Sequence, residues 1–413
     1  MENKLYIPVK SCRICGNTNL VNVLELGEQA LTGIFPKTKQ ASITVGPLTL
    51  VKCTGENTCG LLQLAHSYSL EEMYGENYGY RSGLNPSMVS HLRSKVDKIK
   101  QLEIIENNDI IVDIGSNDAT TLKQYELEDC IYVGIDPTGS KFSQYYNSNI
   151  TLITDFFSSS TFKQKYGEKK AKVITSFSMF YDLEDPMAFM REVADILDNN
   201  GIWVFEQSYM PQMLATNSYD TICHEHLEYY SLSQILWMAE RVGLKIIDVE
   251  LNEVNGGSFS VTAQKLSGLL KVSPAVQNIV ASEQSQKLDD LQTYIKFGER
   301  VRESKRALLN FLVDARNAGK KVTALGASTK GNVLLQYCGI DSSMIASIGE
   351  VNPDKFGAYT PGTHIPIVNE EEMIASKPDY VLVLPWHFKK YFQSQSRYAG
   401  LTLVYPLPTL SFV

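Results

Sequence analysis

The sequence predicts an α/β protein with three domains: a small cysteine-rich N-terminal domain followed by two larger α/β domains. The chain has 413 residues, more than one hydrophobic core usually organises. Four of its seven cysteines fall before residue 60, and strand-like apolar runs alternate with helical patterns in two later regions. We therefore place the three domains at residues 1–68, 69–266 and 267–413.

Composition and charge limit the classes of partner. Apolar residues make up 44% of the chain and charged residues 20%, which is ordinary for a globular protein. The formal net charge is −8 and no dense block of lysine and arginine occurs, which argues against nucleic acid as a partner. Neither a signal-peptide pattern nor an apolar run of membrane-spanning length is present. We expect no membrane contact and a cytoplasmic location.

The N-terminal domain has short apolar runs at residues 20–26 and 48–51, too small a core to stand easily alone. Cys12 and Cys15 form a compact Cys-x-x-Cys knuckle, while Cys53 and Cys59 are separated by five residues. Four thiolates can close a tetrahedral zinc site and leave no open position, so we expect structural zinc. The alternatives are buried free thiols or a redox-active pair.

In the central domain, strand-like runs at residues 110–114, 130–135, 173–177 and 201–205 alternate with amphipathic stretches, as in a doubly wound, mostly parallel sheet. Gly115 follows the first strand, where the backbone must turn and a ligand can approach closely. Asp136 ends the second strand, in position to accept hydrogen bonds from ribose hydroxyls.

The glycine pattern after the first strand is not Gly-x-Gly-x-x-Gly, which favours a ligand without pyrophosphate, such as S-adenosylmethionine. An ordinary strand-to-helix turn is the alternative. A further strand end, at Thr154-Asp155-Phe156-Phe157, places an acid and an aromatic residue where they can flank an adenine ring. The candidate cofactor-binding residues are Asp113, Gly115, Asn117, Asp136, Pro137, Asp155 and Phe156.

Two of the six histidines lie in the segment Cys223-His224-Glu225-His226. A histidine is a suitable base near neutral pH, and an acid beside it can orient it. In an extended strand both imidazoles would point to one side, whereas a turn would separate them and give them different tasks. A packing role and a metal site are the alternatives, although the spacing is not His-Glu-x-x-His.

The C-terminal domain opens with a polar helical connection over residues 267–309 and then repeats the alternation. Strands are predicted at residues 321–325, 344–348, 380–384 and 401–405, with a helix from about Lys330. The turn over residues 325–332 suits a diphosphate bound by backbone N–H groups, with Lys330 available for charge. It matches neither a P-loop nor a nucleophile elbow, and a tight strand-to-helix connection is the alternative.

Seven segments together carry a resemblance to a known family. They are Cys12-Arg-Ile-Cys15-Gly16, Cys59-Gly-Leu-Leu-Gln63-Leu, Tyr78-Gly-Tyr80-Arg-Ser82, Asp113-Ile-Gly115-Ser-Asn117-Asp118, His224-Glu225-His226-Leu-Glu-Tyr229-Tyr230-Ser231-Leu, Asn255-Gly256-Gly257-Ser258 and Gly326-Ala-Ser-Thr-Lys330-Gly331-Asn332. The sequence resembles the zinc-containing sugar C-methyltransferases that act on nucleotide-linked 4-keto-6-deoxy sugars. The resemblance covers essentially the whole chain. It implies a zinc-binding N-terminal domain, a central Rossmann-like class I methyltransferase domain and a C-terminal Rossmann-like domain that binds the nucleotide sugar.

The resemblance also implies residue roles. His226 is expected to be the base, with Glu225 and Tyr80 close to the sugar, and Gly115 and Asp136 to hold S-adenosylmethionine. The further candidates are His224 as a catalytic residue and, for substrate binding, Ser82, Tyr181, Asn255, Ser328, Lys330, Asn332 and Glu350.

Three departures from the family pattern suggest a subgroup with a different sugar. The spacing from Cys53 to Cys59 is wider. Cys223 stands where relatives have a tyrosine, and Asp182 stands where they have a second active-site histidine, which passes that role to Tyr181 or His224.

The expected reaction is methylation of carbon, with C3 of the sugar as the position, through an enolate formed beside the ketone. Removing a proton next to a ketone creates a carbon nucleophile, because the charge is delocalised onto oxygen, and Tyr80 is expected to donate a hydrogen bond to that oxygen. Three alternatives are an O- or N-methyltransferase, a nicotinamide-dependent sugar oxidoreductase and a noncatalytic zinc-ribbon adaptor. The missing Gly-x-Gly-x-x-Gly pattern counts against the oxidoreductase.

Overall fold

A computed structural model describes residues 6–69 and 81–413 of the chain. The strands are β1 (Tyr6–Pro8), β2 (Leu20–Ala30), β3 (Val45–Cys53), β4 (Leu62–Leu64), β5 (His66–Tyr68), β6 (Ile110–Ile114), β7 (Ile131–Ile135), β8 (Ile150–Ile153), β9 (Ala171–Phe177), β10 (Leu197–Ser208), β11 (Glu228–Tyr229), β12 (Leu244–Asn252), β13 (Ser258–Lys265), β14 (Val322–Leu325), β15 (Ile348–Glu350), β16 (Ile367–Asn369), β17 (Tyr380–Val383), β18 (Leu403–Tyr405) and β19 (Ser411–Phe412). The helices are α1 (Pro86–Lys100), α2 (Gly139–Phe142), α3 (Ser159–Tyr166), α4 (Pro186–Ile196), α5 (Met210–Ala215), α6 (Leu232–Arg241), α7 (Pro274–Ser285), α8 (Leu291–Asn317), α9 (Thr329–Cys338), α10 (Glu370–Ala375) and α11 (Lys389–Ser394).

The central sheet has seven strands in the order β12-β13-β10-β9-β6-β7-β8. Its strands are parallel except β13, which runs antiparallel to both of its neighbours. All five residues of β6 are buried, as expected for a strand covered on both faces. The strand order reverses between β6 and β9, so a crevice opens there at the carboxyl ends of the strands.

The C-terminal sheet repeats this plan with six strands in the order β16-β15-β14-β17-β18-β19. The first five are parallel and β19 is antiparallel to β18. Its order reverses between β14 and β17, so the turn into α9 and the segment after β17 flank a second crevice. The α/β fold class with two doubly wound sheets is confirmed.

A four-stranded antiparallel sheet, β11-β4-β3-β2, joins the N-terminal region to the centre of the chain. β11 follows the histidine segment directly, and it pairs Glu228 with Gln63 and Tyr229 with Leu62. One buried apolar cluster includes Leu48 from the N-terminal region, Tyr219 from the central region and Leu334 from the C-terminal region. The N-terminal sheet therefore packs against both larger parts.

Two local predictions for the C-terminal region needed correction. The strand predicted at residues 344–348 was wrong, since the strand begins only at Ile348. Asp341 instead organises a turn, accepting hydrogen bonds from the backbone of Ser343, Met344 and Ile345. The polar helical connection is two helices, α7 and α8, which begin after the capping residues Ser273 and Asp290.

Within the described parts of the chain, no helix has both the length and the apolar character needed to cross a membrane.

Candidate active site

The crevices of the two larger sheets open into one cavity of about 630 Å³. Its walls come from the loops after β6, β7 and β9, from the histidine segment before β11, and from the start of α9 and the turn after β17. A space walled by the carboxyl ends of two such sheets can hold two ligands side by side.

Gly115 lies at the centre of the cofactor side of the cavity. Its φ angle is +73°, and a Cβ added there would lie 3.3 Å from Cγ of Met179, so this position favours glycine on both counts. The preceding Asp113 is buried and accepts a hydrogen bond of 2.5 Å from the Thr175 hydroxyl. Burial raises the pKa of Asp113 to about 7.

The carboxylate of Asp136 is held in place by its neighbours. Oδ2 accepts from the backbone N–H of Asn117 at 2.8 Å, and Oδ1 accepts from the backbone N–H and the hydroxyl of Thr138 at 2.7 and 2.6 Å. A carboxylate offers about four acceptor positions, so one remains for a ligand hydroxyl. Asp136 itself lines the cavity.

The structure brings most of the predicted cofactor residues to one wall. Those that line the cavity are Asp113, Gly115, Asn117, Asp136, Pro137 and Phe156. Asp155 does not line it; the residue is exposed and its carboxylate accepts from the N–H of Phe156 at 2.8 Å.

A turn at His224 and Glu225 separates the two imidazoles. His224 is fully buried outside the cavity, where its ring meets that of Tyr68 edge-on at 4.6 Å and Nε2 lies 3.4 Å from the carbonyl oxygen of Gly46. His226 lines the cavity. His224 thus occupies a packing position and His226 a position open to ligand.

The hydrogen bond of His226 defines which nitrogen can act. Its Nδ1 lies 2.8 Å from the carbonyl oxygen of Thr221, so Nδ1 carries the proton and Nε2 keeps its lone pair. Burial lowers the pKa of His226 to about 4, and the positive charge of Lys330 adds to this effect. Tyr181 packs edge-on against the His226 ring at 4.4 Å.

Glu225 and Cys223 line the cavity beside His226. Burial raises the pKa of Glu225, and within the described residues its Oε2 has no hydrogen-bond partner. A Cβ added at Gly33 would lie 3.1 Å from Oε1 of Glu225, so the N-terminal region closes over this carboxyl group. Asp182, the other departure from the family pattern, also lines the cavity.

The C-terminal region contributes the start of α9. Ser328 caps this helix by accepting from the N–H of Gly331 at 3.1 Å. Lys330 reaches across to the central region, where its Nζ donates to the carbonyl oxygen of Asn255 at 2.5 Å. All three of Ser328, Lys330 and Asn255 line the cavity.

Two of the predicted substrate residues lie elsewhere. Asn332 is fully buried and donates to the carbonyl oxygen of Thr32 at 2.7 Å. Glu350 accepts from three backbone N–H groups, those of Ala327, Val351 and Asn352, at 2.7–3.0 Å. Neither residue lines the cavity.

Ser82 lines the cavity next to the cofactor loop, and its backbone N–H donates to Oδ1 of Asn117 at 3.0 Å. Arg81 lies 3.4 Å from a carboxylate oxygen of Asp118. Tyr80 lies outside the described residues, so its predicted role stays a prediction.

The four N-terminal cysteines form one cluster in which all sulfur atoms lie within 4.8 Å of one another. Cys12 and Cys59 are 3.4 Å apart and Cys15 and Cys53 are 3.6 Å apart. Tetrahedral zinc with Zn–S bonds of about 2.3 Å places sulfur atoms about 3.8 Å apart, so the cluster fits this ion. The wide spacing from Cys53 to Cys59 does not prevent the four cysteines from forming one metal site.

Sequence reasoning missed two residues behind the histidine segment. Thr221 acts through its backbone carbonyl, which every residue type carries, so no sequence signal marks it. Asp220 is a buried acid whose Oδ2 accepts from the indole of Trp386 at 2.8 Å. Its position three residues before Cys223, the first residue of the histidine segment, was the available signal.

The sequence matches three family descriptions in succession: a zinc binding domain over residues 12–74, a methyltransferase domain over residues 88–249 and a C-methyltransferase C-terminal domain over residues 253–408. The C-methyltransferase NovU of Streptomyces niveus is 29% identical over 389 residues, which cover 92% of this chain and 90% of that protein.

Among solved structures, an O-methyltransferase family protein from Burkholderia thailandensis has a TM-score of 0.37 at 14% identity, covering 48% of this chain and 63% of that chain. Magnesium protoporphyrin IX methyltransferase from Synechocystis PCC 6803 has a TM-score of 0.32 at 12% identity, covering 43% of this chain and 78% of that chain.

The three matched domains span almost the whole chain, and their order agrees with the cysteine cluster, the cofactor wall and the C-terminal sheet described above. Zinc is the structural metal of the N-terminal cluster and S-adenosylmethionine is the cofactor. These matches identify the chain as an S-adenosylmethionine-dependent C-methyltransferase with an N-terminal zinc-binding domain.

Proposed function

We propose that this enzyme methylates C3 of a nucleotide-linked 4-keto-6-deoxy sugar through an enolate, with His226 as the base. One observation carries the proposal: the bond from Nδ1 to the Thr221 carbonyl leaves Nε2 of His226 as a proton acceptor in the cavity shared with the Gly115 loop.

The cofactor side of the cavity suits S-adenosylmethionine. The remaining acceptor position of Asp136 would bind a ribose hydroxyl, Phe156 would flank the adenine, and Gly115 would allow close approach of the backbone. When bound, S-adenosylmethionine supplies an electrophilic methyl group.

The substrate side suits a nucleotide-linked sugar. The start of α9 lines the cavity through Ser328, Thr329 and Lys330, and the free N–H groups of helix starts bind phosphate groups well. Binding the nucleotide there would place the sugar between α9 and the histidine segment. The family resemblance of the sequence motifs supports a 4-keto-6-deoxy sugar as the substrate class.

In the proposed reaction Nε2 of His226 takes the proton from the carbon beside the ketone. The electron pair of that C–H bond forms the C=C bond of the enolate, and the π pair of the C=O bond moves onto oxygen. Glu225 lies next in sequence on the cavity wall and supports the orientation of the sugar. The protein aligns the two reacting carbons and keeps bulk water out of the cavity.

Mass spectrometry can test the proposal directly. The purified protein would be incubated in deuterated water with S-adenosylmethionine and a panel of nucleotide-linked 4-keto-6-deoxy sugars, alongside the His226→Asn variant. We expect a methylated product from the wild type and neither methylation nor deuterium uptake from the variant. Methylation of a sugar without a keto group would instead indicate an O- or N-methyltransferase.

A further inference from the structure

Lys330 is the one lysine or arginine among the described residues that line the cavity. Five carboxyl residues line the same space, namely Asp113, Asp136, Asp182, Glu184 and Glu225. A single cation in such surroundings is a prominent electrostatic feature of the site.

The ammonium group of Lys330 is held by a turn of the central region rather than by its own helix. Its Nζ donates to the carbonyl oxygen of Asn255 at 2.5 Å, and a Cβ added at Gly256 would lie 3.8 Å from Nζ. Gly256 has a φ angle of +91°, which favours glycine, so the turn can present this carbonyl close to the lysine. The ammonium group is therefore held between α9 and the Asn255 turn, at the cavity that His226 also lines.

The charge of Lys330 is available to a ligand. Within the described residues no carboxylate oxygen lies within 4.0 Å of its Nζ. The nearby Asp220 accepts from Trp386 rather than from the lysine. An ammonium has three N–H donors, so two remain after the bond to Asn255.

Lys330 and His226 line the same cavity. Burial lowers the pKa of His226 to about 4 and that of His387 to about 3, and the positive charge of Lys330 adds to both effects. A histidine of lowered pKa is a weak base. The C–H group beside the ketone is a weak acid, so proton transfer from it to His226 is unfavourable. Enolate formation at this site therefore needs strong stabilisation of the negative oxygen.

We propose that Lys330 is a catalytic residue whose ammonium group binds the ketone oxygen of the sugar and stabilises the enolate formed when His226 removes the proton. This inference rests on the proposed function. One C–H bond breaks and its proton goes to Nε2 of His226. Its electron pair forms the C=C bond of the enolate, and the π pair of the C=O bond becomes the negative charge on the oxygen that Lys330 contacts. The backbone N–H groups at the start of α9 are left to bind the diphosphate.

The test separates enolate formation from methyl transfer and from nucleotide binding. Deuterium uptake into the keto sugar would be measured in deuterated water at saturating sugar, for the wild type, Lys330→Met and Lys330→Arg. Lys305→Met is a matched control, because Lys305 also donates to a backbone carbonyl at 2.5 Å, that of Tyr337, but does not line the cavity.

We expect Lys330→Met to slow deuterium uptake on the order of 100–1,000-fold, as for loss of one oxyanion donor. Lys330→Arg should retain part of the rate because it keeps the charge, and Lys305→Met should match the wild type. Binding of uridine and thymidine diphosphates to Lys330→Met, measured by calorimetry, should be unchanged from the wild type.

The inference is overturned if Lys330→Met exchanges deuterium at the wild-type rate under saturation while its affinity for the nucleoside diphosphates falls, since Lys330 would then bind the diphosphate. If the wild type neither exchanges nor methylates any keto sugar, the proposed function fails and this inference fails with it. If the wild type is active and Lys330→Met takes up deuterium at the same rate, the inference about Lys330 is overturned while the proposed function stands.

Discussion

At the scale of single residues, the protonation state of His226 makes a prediction about pH. Burial and Lys330 lower its pKa to about 4, so the ring is already neutral well below pH 6.5. The neutral ring is the base, so deuterium uptake should rise as pH increases through about 4 and stay level from pH 5 to 8. Initial rates at low sugar concentration would measure this, and a half-maximal rate near pH 6.5 would contradict it.

Removal of the neighbouring charge provides the control for this profile. In Lys330→Met the pH of half-maximal deuterium uptake should be higher than in the wild type, because the positive charge no longer opposes protonation of His226. This pH should still lie below 6.5, since burial is the larger cause of the lowered pKa of His226.

A second residue-scale prediction concerns Gly115→Ala. The added Cβ meets Met179 at 3.3 Å and is strained at a φ of +73°, at a cost of roughly 1–2 kcal/mol. We expect the affinity for S-adenosylhomocysteine, measured by calorimetry, to fall about tenfold or more, because the loop must shift. Gly339→Ala is the control: its φ is +69° in open space away from the cavity, so stability should fall while the affinity stays unchanged.

The sequence predicted which residues line the cavity better than it predicted which groups hold them in place. His226 and Gly115 could be predicted because residue type and strand position limit what they do. The carbonyl of Thr221 could not, because its role depends on where the backbone folds rather than on its side chain. Asn332 was predicted to bind substrate, but its place in the first turns of α9 faces the N-terminal region and Thr32.

At the scale of elements, the zinc cluster and the histidine segment are linked through β4 and β11. The carbonyl oxygen of Cys59 accepts from Gln234 at 3.0 Å, and the N–H of Leu64 donates to the carbonyl of Leu227 at 2.9 Å. Structural zinc supplies folding free energy to small domains. Loss of the metal should therefore loosen the strand that follows His226.

Cys12→Ser tests this link. We expect zinc content, measured by atomic emission, to fall below one ion per chain, and hydrogen exchange at Leu64 and the residues of β11 to become faster. Cys130→Ser is the control, because Cys130 lies outside the cluster and should leave both measurements unchanged. Unchanged exchange in β11 after zinc loss would show that the two elements are independent.

The elements predicted well are those with continuous apolar runs. Residues 110–114 form β6 as predicted, because four of the five residues are apolar and a strand buried on both faces needs a nearly continuous apolar run. Residues 344–348 have a similar composition, but Asp341 holds the backbone in a turn, and Ile345 is buried without joining a sheet. A strand requires both burial of its side chains and pairing of its backbone with a neighbouring strand. The apolar composition of a segment predicts mainly its burial.

At the scale of the whole molecule, α9 serves the cavity with one face and joins distant parts of the chain with another. Lys330 near its start points toward Asn255, whereas Asn332 bonds to Thr32 and Gln336 bonds to Ala30. The helix that carries the proposed catalytic lysine is thus fixed to β2 of the N-terminal sheet. The N-terminal sheet is fixed in turn to the histidine segment through β11.

This arrangement predicts that Gln336→Ala weakens the molecule without touching the cavity. The side chain of Gln336 accepts from the N–H of Ala30 at 2.7 Å and donates to its carbonyl at 3.1 Å, and Ala30 is only 4% exposed. Leaving two buried backbone groups unpaired should lower the free energy of unfolding by about 1–3 kcal/mol in urea. Gln277→Ala, an exposed position on α7, should cause no such loss. Because Leu48, Tyr219 and Leu334 share one buried cluster, the N-terminal sheet should stay attached in the variant. A free energy of unfolding equal to that of the wild type would contradict the proposed role of Gln336.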